Sequence, residues 1–222
     1  MAKLVAMNNP YNTNLDRNPA NFQPLTPLTF LERAASVYPN HTAIVHGKLR
    51  RNYSDFYSRS RQLASALSEQ GIARGDTVSV ILSNTPAMLE AHYGVPMCGA
   101  VLHSINTRLD PDTIAYQLDH ANSKALIVDR EFLKTAKTSL ELAGVSPILI
   151  EFNDSEYPIK ESLPGAIEYE EFLLKGDKNY NWLMPEDEWD AISLNYTSGT
   201  TGNPKGVVSH HRGAYLLAQG NA

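Results

Sequence analysis

The spacing of hydrophobic positions changes several times along the chain, and each change predicts an element. From Thr29 the residues Phe30, Leu31, Ala34 and Ala35 take a helical period. Glu32 stands three residues after Thr29, the arrangement of a capping box. Residues 42–46 and 49–54 flank Gly47-Lys48 and predict a small hairpin, although Gly-Lys is not the strongest turn pair. From Ser54 onward Phe56, Leu63, Ala66 and Leu67 return to near-helical spacing until Gly71 ends the helix.

Downstream the pattern alternates. Short apolar runs at 77–82, 100–105, 125–129 and 147–152 predict strands. Between them lie helical stretches at 86–98, after Asp110-Pro111, and near 130–143. Strands of this length separated by helices predict a parallel sheet covered on both faces, hence an α/β domain with Rossmann-like topology. Residues 1–25, rich in Asn and Pro, read as an irregular arm, and the domain runs from 26. Residues 151–190 carry Pro158, Pro164 and Pro185 and one helical stretch at 168–174. They read as a surface connection with a poorly ordered loop. A further strand at 191–197 leads into a Gly-rich turn.

Composition narrows the classes. With 222 residues, 42% of them hydrophobic, and a net charge of -5, the chain has the material for a core and is not of disordered type. A pI near 5.8 argues against a general nucleic-acid binder. The single cysteine, Cys98, excludes an intramolecular disulfide and points to a reducing compartment. The first residues lack the apolar core of a signal peptide, and no run reaches the roughly 18 apolar residues of a membrane span. The expectation is a soluble, cytoplasmic protein without a transmembrane segment. A peroxisomal address stays open.

Charge is distributed unevenly. Residues 151–190 hold 12 acidic residues and 3 lysines, whereas 191–222 hold no acid at all but carry Lys205, Arg212 and two histidines. Within that acid-free stretch, residues 195–207 read Asn-Tyr-Thr-Ser-Gly-Thr-Thr-Gly-Asn-Pro-Lys-Gly-Val. Tyr196, Thr197, Ser198, Thr200, Thr201 and Lys205 bring hydroxyls and a cation, and Gly199, Gly202 and Gly206 let the backbone approach a ligand closely. Converging N–H groups and hydroxyls with a mobile ammonium suit a polyphosphate. The NTPase P-loop is excluded, because Lys205 follows Pro204 and Gly206 takes the Ser/Thr place; no GxGxxG occurs either. An ordinary polar turn would explain any three of these residues, but not the whole stretch.

The run YTSGTTGNPKGV resembles the first signature of the adenylate-forming superfamily, and the resemblance reaches back to about Leu25 through FLERAASVYPNHTAIV, YSDFYSRSRQLASAL, GIARGDTVSVILSN and GAVLHSINTRLDPDTIAYQLDHANSKALIVD. LDRNPANF and GVVSHHRGAYL look most like the branch acting on short- to medium-chain or aromatic acids. The resemblance implies an acyl-CoA synthetase that uses ATP, with Mg2+, to convert a carboxylic acid to an acyl-adenylate with release of pyrophosphate, and passes the acyl group to coenzyme A with release of AMP. It implies that Thr197, Ser198, Gly199, Thr200, Thr201, Gly202 and Lys205 clamp the departing phosphates on a loop over 196–206; three glycines and few apolar residues predict that this loop is mobile without nucleotide. His210 and His211 approach substrate or lie on a helix surface; Arg212 faces the phosphates or is solvated. His103 reads as a structural hydrogen-bonding histidine and Cys98 as an inert buried thiol.

Other elements of the family are not found in these residues: the Tyr-Gly-x-Thr-Glu motif, the ribose-binding Asp, the hinge and the C-terminal domain with its catalytic Lys. The resemblance therefore implies that 26–222 is an incomplete N-terminal AMP-binding domain. It predicts that the 222-residue chain alone forms neither thioester nor adenylate. A truncated, non-catalytic remnant that binds a nucleotide or a partner protein is the alternative.

Overall fold

The computed structural model describes residue 11, residues 13–197 and residues 203–221. Helix α1 (Leu28–Val37) buries Leu28 and Leu31. It begins two residues earlier than the expected capping box requires, so Thr29 already lies within the first turn. Its N-cap residue, Pro27, makes no side-chain cap, and the Thr26 hydroxyl accepts from the Leu28 N–H at 3.3 Å. The Thr29 hydroxyl donates to the Thr26 carbonyl at 2.8 Å, and Glu32 accepts from the Tyr57 hydroxyl at 3.2 Å. Strands β1 (Thr42–His46) and β2 (Leu49–Asn52) form the expected hairpin, with Gly47 at a φ of 51° in its turn. Helix α2 (Tyr53–Glu69) opens on Asn52, whose side chain accepts from the Asp55 N–H at 2.8 Å.

The remaining strands build one seven-stranded sheet. They are β3 (Thr77–Ile81), β4 (Val101–Ser104), β5 (Ser123–Asp129), β6 (Ile148–Phe152), β7 (Ile167–Glu168), β8 (Ala191–Thr197) and β9 (Lys205–His210). Their order is β7-β6-β5-β3-β4-β8-β9, and each pairing is parallel except the last. The intervening helices are α3 (Pro86–Met97), α4 (Pro111–His120), α5 (Leu133–Leu142) and α6 (Tyr169–Lys175), and α7 (His211–Gly220) follows β9. All five residues of β3 are buried, because helices cover both faces. Alternate residues of β5 show the division: Ile127 packs among α1, α2, α3 and α6, while Leu126 and Val128 pack against Ile114, Leu118 and Ala136 of α4 and α5. The sequence expectation of a helix-flanked, Rossmann-like α/β sheet is met.

Two features lay outside that expectation. Strand β9 runs antiparallel at the sheet edge, where the sequence reading went from the turn directly towards a helix. The acidic segment is also more than a surface connection. Tyr169 and Phe172 of α6 are fully buried, and the buried Glu151 carboxylate accepts from the Leu163 N–H at 2.8 Å and from Arg130 at 2.5 Å. Several of its acids turn inward to satisfy backbone and arginine donors, which composition alone does not reveal.

A buried ionic cluster ties the helices on one face together. Glu90 of α3 is fully buried and accepts from Arg51 and from Arg59 Nε, each at 2.6 Å, and from the Tyr169 hydroxyl at 2.8 Å. At Gly94 the same helix meets α2 so closely that a Cβ would lie 2.8 Å from the Ser60 carbonyl oxygen.

Candidate functional site

The parallel register of β8 on β4 sets the place of the Gly-rich stretch. Leu102 and His103 pair with Ser193 and Leu194, which sets Asn195 level with Ser104, so Tyr196 and Thr197 extend past the carboxyl end of β4. The carboxyl edge of a parallel sheet is the usual ligand side of such folds. There β8 turns back into β9, with Tyr196 opposite Gly206 and Thr197 opposite Lys205.

Of the residues expected to hold phosphate, Thr197 and Lys205 stand exposed at the two feet of the turn. Ser198, Gly199, Thr200, Thr201 and Gly202, and the expected mobility of their loop, lie outside the described residues. Lys205 makes no ion pair among the described residues, which leaves its ammonium available to an anion. Among those residues no cluster of three or more His, Cys, Asp or Glu is placed to hold a metal.

Side chains from α4 support the base of the hairpin. The Tyr196 hydroxyl and His120 Nδ1 share a hydrogen bond of 2.7 Å, and the Tyr116 hydroxyl donates to the Pro204 carbonyl at 3.4 Å. The His120 ring lies 5.5 Å from Tyr116 and 5.6 Å from Tyr196, and His103 lies 5.0 Å from Tyr196. Sequence reasoning missed Tyr116 and His120. They sit about 80 residues before the motif, on a helix whose polar positions look like solvated surface.

The neighbouring candidates each meet partners within the fold. His103 is buried on β4, with Nδ1 2.8 Å from the Ser79 hydroxyl, which in turn meets Ser123 at 2.6 Å. Burial pushes its pKa down to about 4, so the ring is neutral near pH 7. His210 ends β9, and its Nδ1 accepts from the Gly213 N–H at 2.8 Å, capping α7. His211 is buried with Nδ1 2.8 Å from the Thr26 hydroxyl, and burial lowers its pKa to about 4. Arg212 pairs with Glu188 at 2.5 Å, and Glu188 also accepts from the Leu25 N–H at 3.0 Å. These contacts bind the chain before α1 to α7. The Cys98 thiol is buried, which raises its pKa to about 11 and leaves it unreactive.

The chain matches the AMP-binding enzyme family model over residues 31–221. It is 50% identical over 220 residues to an acetate/butyrate–CoA ligase of Arabidopsis thaliana named as peroxisomal, covering 94% of this chain and 38% of the relative. It is 47% identical over 219 residues to an acetate–CoA ligase of Humulus lupulus, covering 92% and 38% respectively. A peroxisomal benzoate–CoA ligase of Arabidopsis thaliana is 45% identical over 206 residues, covering 89% and 35%. The chain thus spans little more than a third of the length of these relatives. The fold superposes on a crystal structure of an anthranilate CoA ligase in complex with anthranoyl-AMP, with a TM-score of 0.81 at 23% identity, over 91% of this chain and 38% of that one. The match over 31–221 and the identities near 50% place this chain in the AMP-binding enzyme family.

Proposed function

We propose that these residues are the phosphate-binding part of an ATP-dependent acyl-CoA ligase. In this reading a carboxylate oxygen attacks the α-phosphorus of ATP. The bond to the bridging β-phosphate oxygen breaks, and pyrophosphate leaves. The thiol of coenzyme A then attacks the acyl carbon, and AMP departs. Negative charge gathers on the β- and γ-phosphates as pyrophosphate leaves, so donors placed there act in the transition state. Thr197 and Lys205, with Ser198, Gly199, Thr200, Thr201 and Gly202 between them, supply those donors. Mg2+, bound with the nucleotide, would share the phosphate charge. The described residues fit phosphate better than metal, since the hairpin offers hydroxyl and ammonium donors and no carboxylate cluster.

The observation that carries the reading is the register of β8 and β9, which sets Thr197 opposite Lys205 at the carboxyl edge of the sheet. The relatives act on acetate, butyrate and benzoate by name, so the acid class proposed is short-chain or aromatic. The protein is proposed to work in the cytoplasm or the peroxisome; two of these relatives are named as peroxisomal, and no described helix is long and apolar enough to cross a membrane. No observation favours the non-catalytic remnant. The test is to express the full reading frame that encodes this chain and supply ATP, Mg2+, coenzyme A and a panel of acids. Acyl-CoA formed with one AMP per thioester supports the reading. ADP as the nucleotide product, or no thioester from any acid, overturns it.

A further inference from the structure

The phosphate-binding hairpin projects from the sheet edge with little apolar packing of its own: Thr197, Lys205, Gly206, Val207 and Val208 are all exposed. A two-stranded projection of this kind opens easily unless something holds it. What meets it is the carboxyl-terminal half of α4. His120 bonds to the Tyr196 hydroxyl on the β8 side, and Tyr116 bonds to the Pro204 carbonyl on the β9 side, so one helix touches both feet of the loop. The two α4 rings lie 5.5 Å apart and brace each other. Opposite Tyr196, Gly206 keeps the strand close: a Cβ there would lie 3.1 Å from Leu194 Cδ1 and 3.7 Å from the Tyr196 ring.

We infer that Tyr116 and His120 are positioning residues that hold the two feet of the phosphate-binding loop in register through Tyr196 and Pro204. Neither reaches the phosphates by this account; they fix where Thr197 and Lys205 stand. The role in catalysis rests on the function proposed above, whereas the clamp itself does not.

The Lys205–Gly206 bond provides a direct readout, because trypsin cuts there only when β9 leaves β8. In the protein expressed from its full reading frame, His120→Ala and Tyr196→Phe are each expected to speed cleavage after Lys205 about tenfold. The melting temperature should stay within a few degrees of wild type. His120→Asn, whose amide reaches the place of Nδ1, should restore slow cleavage. Tyr116→Phe keeps the ring, loses only the Pro204 contact and serves as the variant least prone to misfolding; it should give a smaller acceleration. Unchanged cleavage at Lys205 in the Tyr116→Phe/His120→Ala double variant overturns the clamp. In a separate arm, magnesium pyrophosphate is added to the wild type. Protection of the Lys205 bond supports phosphate binding by the loop. Absence of protection counts against the proposed function but leaves the clamp standing if the variants still accelerate cleavage. If the clamp serves the reaction, His120→Ala should raise KM for ATP several-fold more than it lowers kcat, and equal changes would overturn that role.

Discussion

Thr197 and Lys205 are the last pair of the antiparallel β8–β9 ladder, set opposite each other where the two strands part. The hydroxyl and the ammonium thus stand at the mouth of one loop, one from each strand. Lys205 is exposed and without an ion pair among the described residues, so its removal has little to disturb. Lys205→Ala is expected to change stability by less than about 0.5 kcal/mol, read from thermal or urea unfolding. A larger loss would mean that the lysine is a structural member of the hairpin.

Glu90 carries the opposite expectation. Its carboxylate is fully buried and answers Arg51, Arg59 and Tyr169 together. Removing the charge leaves two guanidinium groups under-compensated in the interior. Glu90→Gln should cost about 3 kcal/mol, a fall in melting temperature of roughly 6–12 °C for a chain of this size. A fall of a degree or less would show that the cluster is solvated.

Gly94 sets helix propensity against packing. Propensity alone predicts that Gly94→Ala stabilises α3 by about 1 kcal/mol. The added Cβ, however, would lie 2.8 Å from both the Ser60 carbonyl oxygen and Leu63 Cδ2, with backbone on one side that cannot give way. The net effect is expected to be destabilising by about 1–2 kcal/mol, because overpacking at this crossing outweighs the propensity gain. Stabilisation in chemical unfolding would show that α2 and α3 move apart at low cost.

Acid should weaken the fold through His103 and His211. Burial holds both at about 4, below the ordinary value of 6.5, so the folded state resists protonation while the unfolded chain accepts it. Stability from each is fully present above pH 6.5 and falls as the pH drops from there towards 4. Between pH 8 and pH 5 each histidine accounts for about 2 kcal/mol. His211→Asn should therefore show a smaller loss of stability over that interval than wild type. An equal loss would show that His211 protonates freely in the folded protein.

Much of the sheet was legible because its strands are continuous apolar runs: Val78, Val80 and Ile81 in β3 and Leu126, Ile127 and Val128 in β5 announce burial on both faces. Caps were legible where the side chain acts locally, as Asp110 does on the Thr113 N–H at 2.9 Å. Thr29 misled because a capping box is defined by spacing, and Pro27 had already begun the helix. Strand β9 was hidden because its neighbours are Gly, Pro and polar turn residues, and Val207 and Val208 were the only β-branched signal. In the site, the motif could be read as a line of residues. Its supports could not, since Tyr116 and His120 come to it only through the parallel register that sets β8 beside β4.

The most direct test of the central claim, that the loop from Thr197 to Lys205 holds the departing pyrophosphate, is carboxylate-dependent ATP–pyrophosphate exchange. It is to be measured in the protein from the full reading frame, with acetate, butyrate and benzoate, for wild type and Lys205→Ala. The account predicts exchange with at least one acid and a loss of tenfold or more in kcat/KM for ATP in the variant, about 1.4 kcal/mol of transition-state stabilisation. Exchange that is unaltered by Lys205→Ala, or absent from the wild type with every acid, would contradict it.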